Sequence, residues 1–168
     1  RAARQVKVEY EDLPAILSIA EAVAKPSFLL PPLGLKRGDA AAAIAKAPHR
    51  LKGELNIGGQ DHFYLEGQAS LAEPREDGDV IVRCSTQHPS EIQAIVSEVL
   101  GITRNKVVTQ SPRMGGGFGG KETQGNGFAA LVALAAVKTG GPVRVQVDRD
   151  LDMTLTGKRH PFFARYYV

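Results

Sequence analysis

The chain has 168 residues, with 21 basic against 18 acidic side chains, and at 43% hydrophobic and 23% charged it has the mixture of one globular domain or two small ones. No apolar run approaches the roughly 20 residues that a bilayer crossing takes, and the charges are interspersed, which excludes a nucleic-acid-binding stripe. The single Cys84 excludes an internal disulfide framework or an iron–sulfur centre built from this chain's own cysteines, and it fits a reducing cytoplasm.

The opening "RAARQVKVEY" has no apolar core like that of a signal peptide and no initiating Met, which fits a piece of a longer protein. Val6, Val8 and Tyr10 alternate and predict a strand over 6–10. Residues 15–24 are Ala-rich and predict a helix stopped by Lys25-Pro26. "SFLLPPLGLKRG", with Pro31, Pro32 and Gly34, reads as an irregular connector. Residues 39–47, "DAAAAIAKA", have high helix propensity, with Asp39 as N-cap.

The pattern changes from His49. Extended segments run through "HRLKGELNIGGQDHFYLEG" and break at Gly58-Gly59. "ASLAEPREDGDVIVRCST" predicts two strands joined by a turn at Glu76-Asp77-Gly78. "HPSEIQAIVSEVLG" predicts a helix with Pro89 at its first position, Glu91 in its first turn and Gly101 just past its end. Its apolar stripe is Ile92, Ile95, Val96 and Leu100. "NKVVTQSPRM" predicts a short strand leading into a glycine loop. Residues 122–138 predict a second helix that buries Phe128, Leu131, Val132, Ala135 and Val137. "GPVRVQVDRD" and "FFARYYV" read as strands. The order predicts an α+β fold of mixed sheets with packed helices, and a domain boundary near residue 55.

The glycine loop is the densest signal. Five of the six residues from Gly115 to Gly120 are glycine, the sixth being Phe118, and glycine loses more backbone entropy on folding than any other residue. Between a strand and a helix, such a run places free N–H groups around one point and suits an anion. Gly115, Gly117 and Gly120 satisfy G-x-G-x-x-G, and Gly115 to Lys121 satisfy seven positions of a P-loop. The eighth is Glu122, whose carboxylate stands where a Mg²⁺-binding hydroxyl is needed. A phosphate- or nucleotide-binding domain is therefore one reading. A tight strand-to-helix crossing served by glycine geometry alone is a second. Close approach of a bulky ligand, with Phe118 packed beside it, is a third, in which Glu122 either caps the helix or reaches a substrate.

Several separated motifs, in order, carry a resemblance: "GGQDHFYLEGQASLAEP", "TQHPSEIQAIVSEVLG", "RMGGGFGGKE" and "DRDLDMTLTGKRHPF". Together with "RAARQVKVEYEDLPAI" they resemble the molybdenum-binding subunit or domain, of bacterial type, of the xanthine dehydrogenase and oxidase family of molybdenum hydroxylases. The resemblance covers essentially the whole chain and is strongest from Gly58 to Phe162.

That resemblance implies a molybdopterin cofactor and hydroxylation of hypoxanthine or xanthine with oxygen from water. It implies electrons passed to 2Fe-2S centres and FAD on other parts of the enzyme, then to NAD. Residues 1–55 would end a preceding α/β, hammerhead-like domain, and 56–168 would begin the molybdopterin-binding domain. Gln60 resembles the glutamine that hydrogen-bonds an oxo ligand on molybdenum. Phe118 resembles the residue whose backbone N–H does the same, with Gly116, Gly117 and Gly119 against the pterin. Glu122 resembles the carboxylate that orients purine; aldehyde-oxidising relatives usually lack a carboxylate there. Fixed donors aimed at an oxo group act without reorganising. The family's catalytic base lies beyond these motifs, so this segment alone is expected to be inactive. The implied partners are the iron–sulfur and FAD parts, in a homodimer or heterotetramer, in the cytoplasm, with neither nucleic acid nor membrane.

The remaining candidates have plainer readings. His62 reads as a structural histidine, His88 as a helix-start residue, and His49 and His160 as surface or packing residues. Glu66 reads as a solvated strand carboxylate, "DRDLD" (148–152) as a solvated turn, and Cys84 as a small buried residue on a strand.

Overall fold

The computed structural model describes residues 2–25 and 28–168. Pro26, expected to stop the first helix, lies outside the described residues, as does Ser27 at the start of the connector. The chain divides into two compact units, Arg1–Gly58 with Pro161–Val168, and Gly59–His160.

In the first unit the alternating residues 6–10 form no strand. Val6, Val8 and Tyr10 are all exposed, and no strand pairs with them among the described residues. Alternation becomes a strand only where a neighbour completes the ladder. Helix α1, Ile19–Ala24, begins later than the Ala-rich stretch suggests. Its start is fixed by Ser18, whose Oγ accepts from the Glu21 N–H at 3.2 Å, while Glu21 Oε2 reaches back to Ser18 Oγ at 3.0 Å in a reciprocal cap. Helix α2, Ala40–Lys46, is capped by Asp39 as expected, with Oδ1 accepting from the Ala42 N–H at 3.0 Å. Strand β1, Lys52–Ile57, pairs antiparallel with the last strand, Phe162–Tyr167 (β6), from Lys52↔Tyr167 to Ile57↔Phe162.

The second unit is built on strands β2, Ala69–Pro74; β3, Val80–Cys84; β4, Val107–Gln110; and β5, Val143–Gln146, in the order β4-β3-β2-β5. The β2–β3 hairpin turns through Glu76–Gly78, with Asp77 at φ 57°. Strands β3 and β4 are parallel, so a crossover must join them. Helix α3, Pro89–Leu100, is that crossover, with Pro89 in its first turn and Gly101 left-handed at φ 66° past its end. Its Ile92 and Val96 pack on Val80, Val82, Ala72 and Val107 in the core, each worth about 1.5–3 kcal/mol of burial.

Helix α4 spans Asn126–Thr139 rather than 122–138. Residues 121–125 are instead turns and bends, following a glycine loop in which Gly116, Phe118 and Gly119 have φ of 92°, 53° and 86°, outside the right-handed helical region. The face of α4 against the core is Ala129, Val132, Ala133 and Ala136. These mostly small residues let the helix lie close to the sheet, and Leu131 and Val137, expected inside, are exposed. The "DRDLD" stretch is also no solvated turn. Asp148 caps a short helix, α5, Arg149–Leu155, with its side chain accepting from the Leu151 N–H, and Asp152 is buried.

Candidate functional site

Sheet topology brings four separate stretches to one edge. Parallel β3 and β4 end together, with Arg83 opposite Gln110; β2 is antiparallel to β3, so its start lies there, with Ser70 opposite Cys84. Strand β5 is antiparallel to β2, so its end lies there too, with Ala69 opposite Gln146. Residues 64–68, 85–87, 111–121 and 147–152 therefore meet. Ligands of sheets with parallel crossovers commonly bind outside such strand ends.

The glycine loop is held there by the chain's own side chains. A Cβ on Gly115 would come within 2.6 Å of Glu66 Cβ, one on Gly117 within 2.6 Å of Gln87 Oε1, and one on Gly120 within 2.6 Å of His62 Cγ. Gly116 and Gly119 have positive φ instead, where a side chain is strained. Gln87, whose role no pattern in the sequence marks, organises the turn. Its Oε1 accepts from the Gly119 N–H at 3.0 Å and the Lys121 N–H at 3.2 Å, and its own N–H donates to Lys121 O at 2.8 Å. Its Nε2 has no acceptor among the described residues. The Gly115 N–H donates to Glu66 Oε2 at 2.9 Å, and the Gly120 N–H to Gly117 O at 2.7 Å. The consecutive N–H groups of Gly116, Gly117 and Phe118 meet no acceptor among the described residues, although Gly117 is buried. A buried amide left over in this way is one that a ligand can satisfy.

Lys121 is fully buried. Its Nζ donates to Ser85 Oγ at 2.8 Å and Glu66 Oε2 at 3.1 Å, and stands 4.7 Å from the Tyr64 ring centroid. Glu66 is therefore no merely solvated carboxylate. Burial raises its carboxyl pKa, but the Gly115 N–H, the Ser85 hydroxyl and the Lys121 ammonium outweigh that and hold it below the ordinary value. The P-loop reading fails at this point. Lys121 is occupied within the fold rather than free for a phosphate, and α4 starts only at Asn126.

Beneath the loop lies a second buried network. Tyr64 Oη donates to Asp152 Oδ1 at 2.7 Å, Gln68 Nε2 donates to Tyr64 Oη at 2.8 Å and Gly120 O at 3.1 Å, and Asp152 Oδ2 accepts the Gln68 N–H at 3.0 Å. Burial first, and then the Asp152 hydrogen bond, raise the Tyr64 pKa. Arg149 donates to the carbonyls of Tyr64 and Leu65. Neither Asp152 nor Tyr64 carries a signal in the sequence, since their meeting is a contact across 88 residues.

Of the expected site residues, Gln60 and Phe118 line one cleft of about 450 Å³ with Asp61, His62 and Arg159. Gln60 is anchored by a backbone bridge, its N–H donating to Arg159 O at 3.1 Å and its carbonyl accepting from the Arg159 N–H at 2.9 Å. Phe118 is left-handed and 75% exposed, so its ring is presented outward rather than packed into the core. Glu122 is exposed, with no hydrogen bond or ion pair among the described residues, and it does not begin α4. The His62 ring stacks near Tyr64, centroids 6.5 Å apart. His88 precedes α3 and pairs with Glu91 at 2.7 Å, His49 and His160 are exposed, and Cys84 is buried. No group of three or more His, Cys, Asp or Glu that could hold a metal ion occurs among the described residues.

The molybdopterin cofactor-binding domain family matches residues 24–168. Xanthine dehydrogenase/oxidase of Felis catus is 48% identical over all of this chain and 13% of its own length. Xanthine dehydrogenase of Drosophila subobscura is 47% identical, again over all of this chain and 13% of its own length. The chain thus spans about an eighth of these curated relatives. Among solved structures, the aldehyde oxidoreductase of Desulfovibrio gigas superposes on 99% of this chain and 19% of its own with a TM-score of 0.82 at 27% identity. Quinoline 2-oxidoreductase of Pseudomonas putida 86 superposes on 90% of this chain and 20% of its own with a TM-score of 0.75 at 26% identity.

Proposed function

From its membership of the molybdopterin cofactor-binding domain family, we propose that this chain is a segment of a xanthine dehydrogenase-type enzyme that hydroxylates hypoxanthine and xanthine. The observation that carries the proposal is the row of three amides at Gly116, Gly117 and Phe118 that meet no acceptor among the described residues, between neighbours pinned by Glu66 and Gln87. Donors fixed in this way are already oriented before a ligand arrives. When bound, the molybdopterin supplies a molybdenum centre that accepts two electrons and delivers oxygen derived from water.

This chain's residues do the holding and orienting. The backbone of Gly116, Gly117 and Gly119 would hold the pterin. The Phe118 N–H and the Gln60 carboxamide would donate toward the metal's oxo ligand, and the cleft that both residues line supports that pairing. Gln87 is a second carboxamide at the loop; its engaged Oε1 and idle Nε2 give it an equal claim to that donor role. Glu122, exposed and with no hydrogen bond or ion pair among the described residues, accepts from the purine N–H groups and excludes substrates that lack them. Residues 56–168 begin the molybdopterin-binding domain, and residues 1–55 end the hammerhead-like domain before it.

Iron–sulfur centres, FAD and NAD belong to other parts of the enzyme, which works as a homodimer or heterotetramer in the cytoplasm. No helix among the described residues is long and apolar enough to cross a membrane. The test is metal and pterin analysis of the full-length protein together with xanthine-dependent NAD reduction. Near-stoichiometric molybdenum with turnover is expected; a folded full-length protein that takes up no pterin in a molybdenum-replete host overturns the proposal.

A further inference from the structure

The residue that follows the glycine run, Lys121, is fully buried, and its partners tie it to the run's first residue, Gly115. Glu66 Oε2 accepts at once from Lys121 Nζ at 3.1 Å, Ser85 Oγ at 2.5 Å and the Gly115 N–H at 2.9 Å. The Glu66 N–H donates to Gly115 O at 3.2 Å, so Gly115 is gripped from both sides. At the other end, Lys121 donates to Ser85 and Glu66 through Nζ and to Gln87 through its backbone. One carboxylate oxygen therefore closes a seven-residue loop into a ring, and the amides left over are those of 116–118.

We propose that Glu66, Ser85 and Lys121 form a charged clasp that fixes the spacing of the free loop amides, and so act as positioning residues for cofactor capture; this rests on the molybdopterin reading above. A charged pair suits the task because its hydrogen bonds are directional as well as strong. An apolar staple would close the loop without orienting its N–H groups. The pair is also sensitive to loss of one member. A buried ammonium deprived of its carboxylate must lose its proton or find water, and moving Lys121 outward pulls its backbone, and that of Gly119, from Gln87.

The test uses the full-length enzyme with Glu66→Gln, prepared with and without cofactor. Amide hydrogen exchange, pterin and molybdenum content, and the Mo(V) electron paramagnetic resonance signal of the loaded fraction are compared with wild type. In cofactor-free protein, exchange across 113–122 rises about tenfold or more while 126–139 is unchanged. Pterin content falls, and the signal of the loaded fraction shifts. Ser85→Ala, which leaves the ion pair in place, gives the same changes in weaker form and decides the matter on the same peptides if Glu66→Gln does not accumulate. Wild-type exchange across 113–122 overturns the clasp, as does faster exchange with full pterin content and an unaltered signal. An equal rise across 126–139 also overturns it, since the pair would then support the fold at large. A wild-type enzyme without pterin removes the cofactor reading instead, and the exchange in cofactor-free protein still judges whether the loop is closed by this pair.

Discussion

Gly120→Ala isolates the packing under the loop from its chemistry. The added methyl would stand 2.6 Å from His62 Cγ and 2.7 Å from Tyr64 Cε1, well inside the 3.4 Å where ordinary contact begins. Tyr64 cannot yield, because its hydroxyl is held by Asp152 and Gln68 and the residue is 3% exposed. His62 is only half-buried and can swing, which keeps the penalty within the usual overpacking range of about 1–3 kcal/mol. If that penalty is released as local opening, exchange of the 113–125 amides in the full-length protein rises roughly 5- to 150-fold. Gly127→Ala is the control. It lies in α4 with nothing within 4 Å of its added Cβ, so the gain in helix propensity stabilises by about 0.5–1 kcal/mol. Wild-type exchange in Gly120→Ala, or equal loosening by both substitutions, refutes the ring packing beneath Gly120.

Glu122→Ala in the full-length enzyme is expected to slow xanthine turnover by roughly a hundredfold while molybdenum content stays near wild type; equal loss of both would make the carboxylate structural. Gln60→Ala and Gln87→Ala separate the two carboxamides. Gln87→Ala frees the Gly119 and Lys121 amides and should speed exchange across 113–122 by about tenfold, whereas Gln60→Ala should leave that peptide unchanged and lower turnover alone. The Glu66 carboxyl, held below its ordinary 4.5, contributes loop stability that is fully present above that value and is lost as pH falls through the depressed one. Exchange across 113–122, corrected for its intrinsic pH dependence, should therefore rise on acidification, and Glu66→Gln should flatten that profile.

Local patterns carried much of the fold. Pro89 and Gly101 mark α3 at both ends, Asp39 caps α2, and Glu76-Asp77-Gly78 turns the β2–β3 hairpin, because each of these signals is satisfied within a few residues. The misreadings share one cause. The alternation at Val6, Val8 and Tyr10 has no neighbouring strand among the described residues, Leu131 lost the inner face of α4 to alanines that fit a close sheet, and "DRDLD" became a capped helix whose Asp152 answers Tyr64. Each outcome depends on what lies across the fold.

The site divides along the same line. The sequence alone determined that residues 115–120 need bare backbone, and the ordered motifs around them identified the family, because backbone freedom and motif order are properties of the chain itself. Only the tertiary structure decided why each glycine is required, that Lys121 faces inward to Glu66 and Ser85, and that Gln87 holds the turn. Those roles exist only once β2, β3, β4 and β5 bring their ends to one edge, since hydrogen bonds and ion pairs act over a few ångströms whatever the separation along the chain.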